Sequence, residues 1–378
     1  LAGRGFRSSL PILLVVSRHQ ETGVKGSAMS VTRLVVVGPG LMGMKHIDLV
    51  HADPRTELAA IVQPEPIHAR HLSESLGVPV FPDIGTCLEA VRPDGVILAS
   101  PNPFHFEQAR ICAAAGTPML IEKPITDDLS EAEALVDLIA RSGVMAMVGH
   151  HRAHSPLVHA ALRVVQSGRL GRLVAFQGSA VFRKPDDYFA AAPWRTQSGG
   201  GPILINLIHE IGMMRTLCGE IDAVQAQTSS RVRGHAVEDT AAITVSFSGG
   251  ALGVFMLSDS GASARSWEQT TGENPAFFNA PEETCYTLTG EKGTLHFPTL
   301  RLETFADAGE ASWMRPFSTE AVPVERHDPL AAQLTNFIEV IRGEAEVVVT
   351  PLDGLRNLRV IDAIRRSAES GQTVRIAG

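Results

Sequence analysis

From Arg33 onward the chain alternates short apolar runs with longer amphipathic stretches. "LVVVG" (34–38), "LAAIV" (58–62), "GVILAS" (95–100), "MLIE" (119–122) and "VMAMVG" (144–149) are evenly spaced and rich in β-branched residues. Runs of this kind, apolar at nearly every position, mark strands buried on both faces of a parallel sheet. Between them "HFEQARICAAAG" and "SEAEALVDLIARSG" read as helices, each closing on a glycine, where a left-handed cap costs least. The alternation predicts a doubly wound parallel α/β sheet over residues 31–150.

After His150 the pattern changes. "LVAFQGSAVF" (173–182), "AVQAQTSSRV" (223–232), "AAITVSF" with "ALGVFML" across "SGG", and "CYTLTGEKGTLHF" predict antiparallel strands, two pairs of them joined by glycine-containing hairpins. Alternation in "ITVSF" leaves one sheet face free, either as the surface of a homodimer or homotetramer or as a solvated face. "LAAQLTNFIEVIRG" and "PLDGLRNLRVIDAIRRSAESG" predict two closing helices, the second with Leu355, Leu358, Ile361 and Ile364 at core spacing. Residues 151–378 thus read as a second, α+β domain with a large, mostly antiparallel open sheet, and the closing helices have room to pack back on the first domain.

Two domains also suit 378 residues, more than one hydrophobic core usually organises. Thirty-three basic against forty-one acidic residues give a formal charge of −8, which opposes binding to nucleic acid or an anionic membrane. Cys87, Cys112, Cys218 and Cys285 are far apart with no CxxC pair, fitting neither a zinc site nor a disulfide framework, so a reducing cytoplasm is the simple reading. The apolar run "LPILLVV" behind Arg4 and Arg7 is too short for a membrane span and lacks a small-residue cleavage site. Residues 1–30 are expected to be a disordered leader, with Met29 as the physiological start and a targeting role as the alternative.

Chemistry enters at the strand ends. "GPGLMG" places Gly38, Gly40, Leu41, Met42 and Gly43 between the first strand and its helix. A G-x-G-x-x-G in that context lets the backbone approach a dinucleotide pyrophosphate at the positive end of a helix. A tight glycine turn without ligand is the alternative. At the end of the second strand, where an acid would hold the adenosine ribose, stands Gln63, with His68 and Arg70 nearby as possible phosphate partners. Glutamine can bond a ribose but cannot repel a 2′-phosphate, so NAD and NADP both stay open.

Ligands of such sheets bind beyond the carboxyl ends of the strands. "SPNPFH" brings Ser100, Asn102 and His105 to that edge, and "EKP" brings Glu122 and Lys123. A lysine there can donate to an alcohol or carbonyl oxygen during hydride transfer, or it can be an ordinary loop lysine paired with a carboxylate. "GHHRAH" holds His151 and Arg152 as candidate substrate contacts, and "KPDDYFAAAPWR" adds Lys184, Tyr188, Trp194 and Arg195. His150 and His154 at i and i+4 lack a neighbouring carboxylate ligand, so no metal is expected.

"GPGLMG", "SPNPFH", "AGTPMLIEKPI", "GGGPILINLIHE" and the late "DPLAAQLTNFIEVIRG … VVVTPLDGLRNLRVIDAI" together resemble the Gfo/Idh/MocA oxidoreductases, from about residue 32 to the C-terminus. The resemblance implies a Rossmann domain, an open-sheet domain, and an NAD(P)-dependent dehydrogenase of a sugar, polyol, inositol or related hydroxy compound. It places the family's catalytic lysine on Lys123 and its acid–base histidine on His209. The acid usual four residues before that histidine is absent, since Ile205 stands there with Asn206 beside it. On an α-helix Asn206 and His209 would share a face, so the amide is expected to orient the imidazole or a substrate hydroxyl. Two other outcomes are open: an NAD-dependent glycoside-cleaving or epimerising cycle, and a cofactor-binding regulator without turnover.

Overall fold

The computed structural model describes residues 31–305, 309 and 311–376; the expected leader lies outside them. The first half runs β1 (Thr32–Val37), α1 (Leu41–Ala52), β2 (Thr56–Val62), α2 (Pro66–Leu76), β3 (Val80–Phe81), α3 (Ile84–Val91), β4 (Gly95–Leu98), α4 (His105–Ala114), β5 (Met119–Glu122), α5 (Leu129–Ser142) and β6 (Ala146–Gly149). Its six strands pair in parallel in the order β3-β2-β1-β4-β5-β6. The order reverses between β1 and β4, which opens a crevice at the carboxyl ends of those strands. Alternate residues of β1 enter different cores, Val35 and Val37 on one face, Leu34 and Val36 on the other, and for this reason the run carries no polar position.

The second half runs α6 (Pro156–Gln166), β7 (Leu173–Val181), α7 (Asp186–Ala190), α8 (Ile208–Cys218), β8 (Ile221–Ser229), β9 (Thr240–Phe247), β10 (Leu252–Ser258), α9 (Trp267–Thr270), β11 (Tyr286–Gly290), β12 (Gly293–Phe297), β13 (Arg301–Phe305), β14 (Phe317–Ala321), α10 (Pro329–Ile341), α11 (Pro351–Ser370) and β15 (Val374–Arg375). The nine strands lie in the order β14-β13-β12-β11-β7-β10-β9-β8-β15. Both expected hairpins, β9 with β10 and β11 with β12, are present. One expectation is corrected: β7 and β10 pair in parallel, because the chain places β8 and β9 outside β10 before returning to β7.

The sheet's two faces differ. Ala241, Ile243, Val245 and Phe247 are buried, while Leu252, Val254 and Met256 on β10 stay exposed. The closing helices do reach the first sheet: Leu334, Phe337 and Ile338 of α10 pack with Leu34, Val36, Ile97 and Leu120. Helix α11 runs between β6, α5, α8 and β8. Among the described residues no helix is long and apolar enough to cross a membrane.

Candidate active site

The β1–α1 turn has the form a dinucleotide requires. Gly38 has φ +79°, and a Cβ on it would lie 2.5 Å from Ser100 Cα. A Cβ on Gly43 would lie 2.2 Å from Gly38 O, so helix and turn can pack this closely only without side chains. A Cβ on Gly40 would meet nothing, since that side of the turn faces open space, and Leu41 beside it is 76% exposed. These are the three tasks of the glycines in such a turn: tight bend, close phosphate approach and helix packing.

Gln63 ends β2 beside this turn, its Oε1 accepting from the Glu65 backbone N at 3.2 Å. The Glu65 carboxylate accepts from Ile67 N and His68 N and caps α2. His68 also lies 3.2 Å from that carboxylate, so it is committed to its own helix end. Ser100 and Asn102 occupy the loop after β4, where the Ser100 hydroxyl donates to Gln108 Oε1 at 2.6 Å.

Two expected cofactor contacts, His105 and Glu122, are buried. His105 is fully buried, with Nδ1 2.9 Å from Pro124 O and Nε2 2.9 Å from Ser100 O. It ties the "SPNPFH" loop to the "EKP" loop. Glu122 is also buried, its Oε1 2.8 Å from His46 Nε2 and its Oε2 accepting from Lys123 N at 3.2 Å. Both carboxylate oxygens are thus spent on anchoring the segment that carries Lys123.

Lys123 is no surface-loop lysine. Its Nζ donates to the Ile205 carbonyl at 3.2 Å, joining the end of β5 to the helix that carries His209. Burial pushes its ammonium below the ordinary lysine range, opposed by the Glu122 carboxylate beside it.

That helix departs from the regular form expected for "GGGPILINLIHE". Its first turns, Ile203–Leu207, are π-helical before α8 begins. A widened turn of this kind changes the angular phase of its residues and recurs at functional sites. Its N-terminus is capped by a distant acid, Glu238, which accepts from Ile203 N at 2.8 Å. Gly201, at φ +81°, makes room, since a Cβ there would lie 2.6 Å from Glu238 Oε1.

Asn206 directs its oxygen to a partner other than His209. Its Oδ1 accepts from Lys184 Nζ at 2.7 Å, a residue whose importance the sequence pattern did not rank. Lys184 is 9% exposed, lies 3.7 Å from Asp259 Oδ2 and sits 4.8 Å above the Tyr188 ring. Burial lowers its pKa to about 8. Arg195 also lies over this ring, 3.8 Å from the centroid and bonded to Tyr188 O at 2.5 Å, with Trp194 exposed next to it.

His209 is 8% exposed, and its ring stands edge-on to His151 at 5.4 Å and to His150 at 5.9 Å. Its Nδ1 is buried without a hydrogen-bond partner, an orphan donor or acceptor of the kind a ligand would satisfy. Burial foremost, then the charges of Lys123 and Arg152, holds the imidazole well below its ordinary pKa, so it is neutral near pH 7.

Arg152, expected to touch substrate, is buried among protein partners. It is 2% exposed and donates to Glu210 Oε1 at 2.6 Å and to Glu268 Oε1 at 2.5 Å, with Trp267 stacked 4.8 Å away. Tyr286 donates to the second oxygen of Glu210. Glu210, adjacent to His209, is thereby occupied on the far side of the helix.

Comparison with known proteins identifies the family. Residues 32–150 match the oxidoreductase family's NAD-binding Rossmann fold and residues 163–376 its C-terminal alpha/beta domain. The chain belongs to the Gfo/Idh/MocA oxidoreductase family. It is an oxidoreductase with an NAD-binding Rossmann domain. It is 25% identical to D-apiose dehydrogenase of Paraburkholderia graminis, over 90% of this chain and 88% of that one. It is 27% identical to scyllo-inositol 2-dehydrogenase (NAD(+)) of Bacillus subtilis, over 91% and 96% respectively. The WlbA dehydrogenase of Bordetella pertussis, solved with NADH and UDP-GlcNAcA, shares the fold with TM-score 0.73 at 23% identity, covering 92% of this chain and 99% of that one.

Proposed function

We propose that this oxidoreductase transfers hydride between a nicotinamide dinucleotide and a secondary alcohol or ketone of a sugar, polyol, inositol or related hydroxy compound. The observation that carries the reading is the bond from half-buried Lys123, at the carboxyl end of β5, to Ile205 O on the helix holding His209. It joins the edge of the dinucleotide-binding sheet to the helix on which His209 sits. The dehydrogenases of D-apiose and scyllo-inositol among the relatives support the substrate class.

In this reading residues 31–150 bind the cofactor through Gly38, Gly40, Leu41, Met42, Gly43, Gln63, Ser100 and Asn102, and the part beyond residue 150 holds the substrate. When bound, the nicotinamide accepts or supplies the hydride. In the oxidation direction neutral His209 takes the hydroxyl proton, and the Lys123 ammonium donates to the same oxygen, stabilising its developing negative charge. Reduction returns that proton to the oxygen from the imidazolium. Lys184 can only donate, so Asn206 Oδ1 must accept from it, which leaves the amide N–H pair to bond another substrate oxygen. His151, Tyr188, Trp194 and Arg195 border the substrate.

Loss of the acid at Ile205 was the ground for a regulator without turnover. The convergence of Lys123, Lys184, Asn206 and His209 favours the enzyme. Exposed Leu252, Val254 and Met256 on β10 support pairing of copies through the open sheet face, and four free cysteines suit a cytoplasmic setting. The test is a panel of polyols, sugar acids and inositols with NAD and with NADP, read by nicotinamide absorbance. Absence of turnover across the panel, with cofactor bound, would return the regulator reading. Product without net nicotinamide change would favour the glycoside-cleaving or epimerising cycle.

A further inference from the structure

His150 carries a hydrogen-bonding instruction from the far side of α8. It follows β6, is 3% exposed, and its ring stands at 86° to that of His209. Its Nε2 lies 3.2 Å from Asn357 Nδ2 on α11. Asn357 Oδ1 lies 2.7 Å from Arg215 Nη1 on α8. A guanidinium only donates, so Oδ1 is the acceptor and Nδ2 is the atom facing the histidine. An amide nitrogen also only donates, so His150 Nε2 must be bare. The proton of the neutral ring is left on Nδ1.

The chain of bonds is held firmly at its outer end. Arg215 meets both Glu220 carboxylate oxygens at 2.8 Å and Asp353 O and Oδ1 at 3.2 Å. Gly212 makes the passage for Asn357, since a Cβ there would lie 3.3 Å from Nδ2. The ring faces charges from three elements: Lys123 and Glu122 of the β5 end, Arg215 of α8 and Asp353 of α11. Burial and the two cations hold its pKa at about 3, so the ring stays neutral across the working range. Its Nδ1 is buried and has no hydrogen-bond partner in the protein.

We infer that Arg215 and Asn357 are positioning residues that lock His150 as an Nδ1–H donor in the cluster with His209, and that this donor bonds an acceptor oxygen of substrate or nicotinamide carboxamide. What the donor meets rests on the proposed dehydrogenase reading; the locked tautomer does not. A buried donor left unmade is costly, so a ligand that offers it an acceptor gains selectively over one that does not.

The test is imidazole NMR on the whole chain labelled with nitrogen-15 histidine, His150 being assigned by its loss in His150→Phe. The wild-type spectrum is expected to show the Nδ1–H tautomer. In Asn357→Asp an acceptor replaces the amide donor, so the proton moves to Nε2, and kcat/KM falls tenfold or more. An unchanged cofactor Kd with raised substrate KM assigns the acceptor to substrate; a raised Kd assigns it to the cofactor. An Nε2–H tautomer in the wild type overturns the inference, and that spectrum needs no variant to fold. So does a flipped tautomer with kcat, KM and Kd all unchanged. Failure of the dehydrogenase reading shows separately, as absence of turnover in the wild type.

Discussion

Lys184 Nζ lies 2.7 Å from Asn206 Oδ1, and this contact fixes the orientation of the amide, with its oxygen toward the lysine. Lys184→Met frees the amide to rotate, and kcat/KM should fall roughly tenfold, the scale of one lost orienting hydrogen bond. The cofactor Kd should not change. Equal kinetics in the two proteins would remove the pair from substrate recognition.

The same lysine has a signature in stability. Its pKa is about 8 in the fold against an ordinary 10.5, so between those values the unfolded chain binds more protons than the folded one. Stability from this group therefore rises as pH climbs through that window and is flat below it. Comparing wild type with Lys184→Met by urea denaturation, the wild type should gain on the variant by about 3 kcal/mol across the window. A pH-independent difference would show that the ammonium is not buried as described.

Arg152 should behave as a structural ion. Arg152→Met strands Glu210 without its charge partner in a buried site, at a cost of about 3–5 kcal/mol. A second change, Glu210→Gln, should recover part of this loss. Unaltered denaturation midpoints with a raised substrate KM would return Arg152 to the binding site.

These corrections show where sequence patterns carry information and where they do not. Parallel strands such as "MLIE" were legible because burial on both faces writes an unbroken apolar run, and the observed β5 has those same four residues. β14 was not, since all five of its residues are exposed and no alternation marks it. The parallel pairing of β7 with β10 depends on spatial order, which local periodicity does not encode. At the site, Lys123 stood out by its position at a strand end and His209 through the family resemblance. The roles of Arg152 and Lys184 depended on partners further along the chain, Arg152 meeting Glu268 across 116 residues. The π turn at Ile203–Leu207 had no compositional signal and redirected Asn206.

For the cofactor, Gln63→Asp should shift preference toward NAD. The added carboxylate can hold both ribose hydroxyls and repels a 2′-phosphate by on the order of 1 kcal/mol, about fivefold in relative affinity. Titrating both dinucleotides against wild type and variant checks this. An unmoved NADP to NAD ratio would place Gln63 away from the adenosine ribose.

Lys123→Met should leave folding and cofactor affinity nearly intact while turnover drops by roughly a hundredfold or more, the scale of losing a positioned proton donor and electrostatic stabiliser. His209 separates from it by its pH behaviour. Because His209 is held well below its ordinary pKa, wild-type kcat should be level near neutrality and decline only in acid, where the base becomes protonated. His209→Ala should lose turnover heavily and flatten that acid limb, whereas Asn206→Ala should slow the reaction and keep the limb, since an amide does not titrate. Ile205→Asp, placing a carboxylate in the family's usual position, should raise the imidazole pKa and move the limb upward if the two side chains meet. Should His209→Ala instead destabilise the protein while its folded fraction turns over normally, the imidazole is a core residue and the proton must leave by another route.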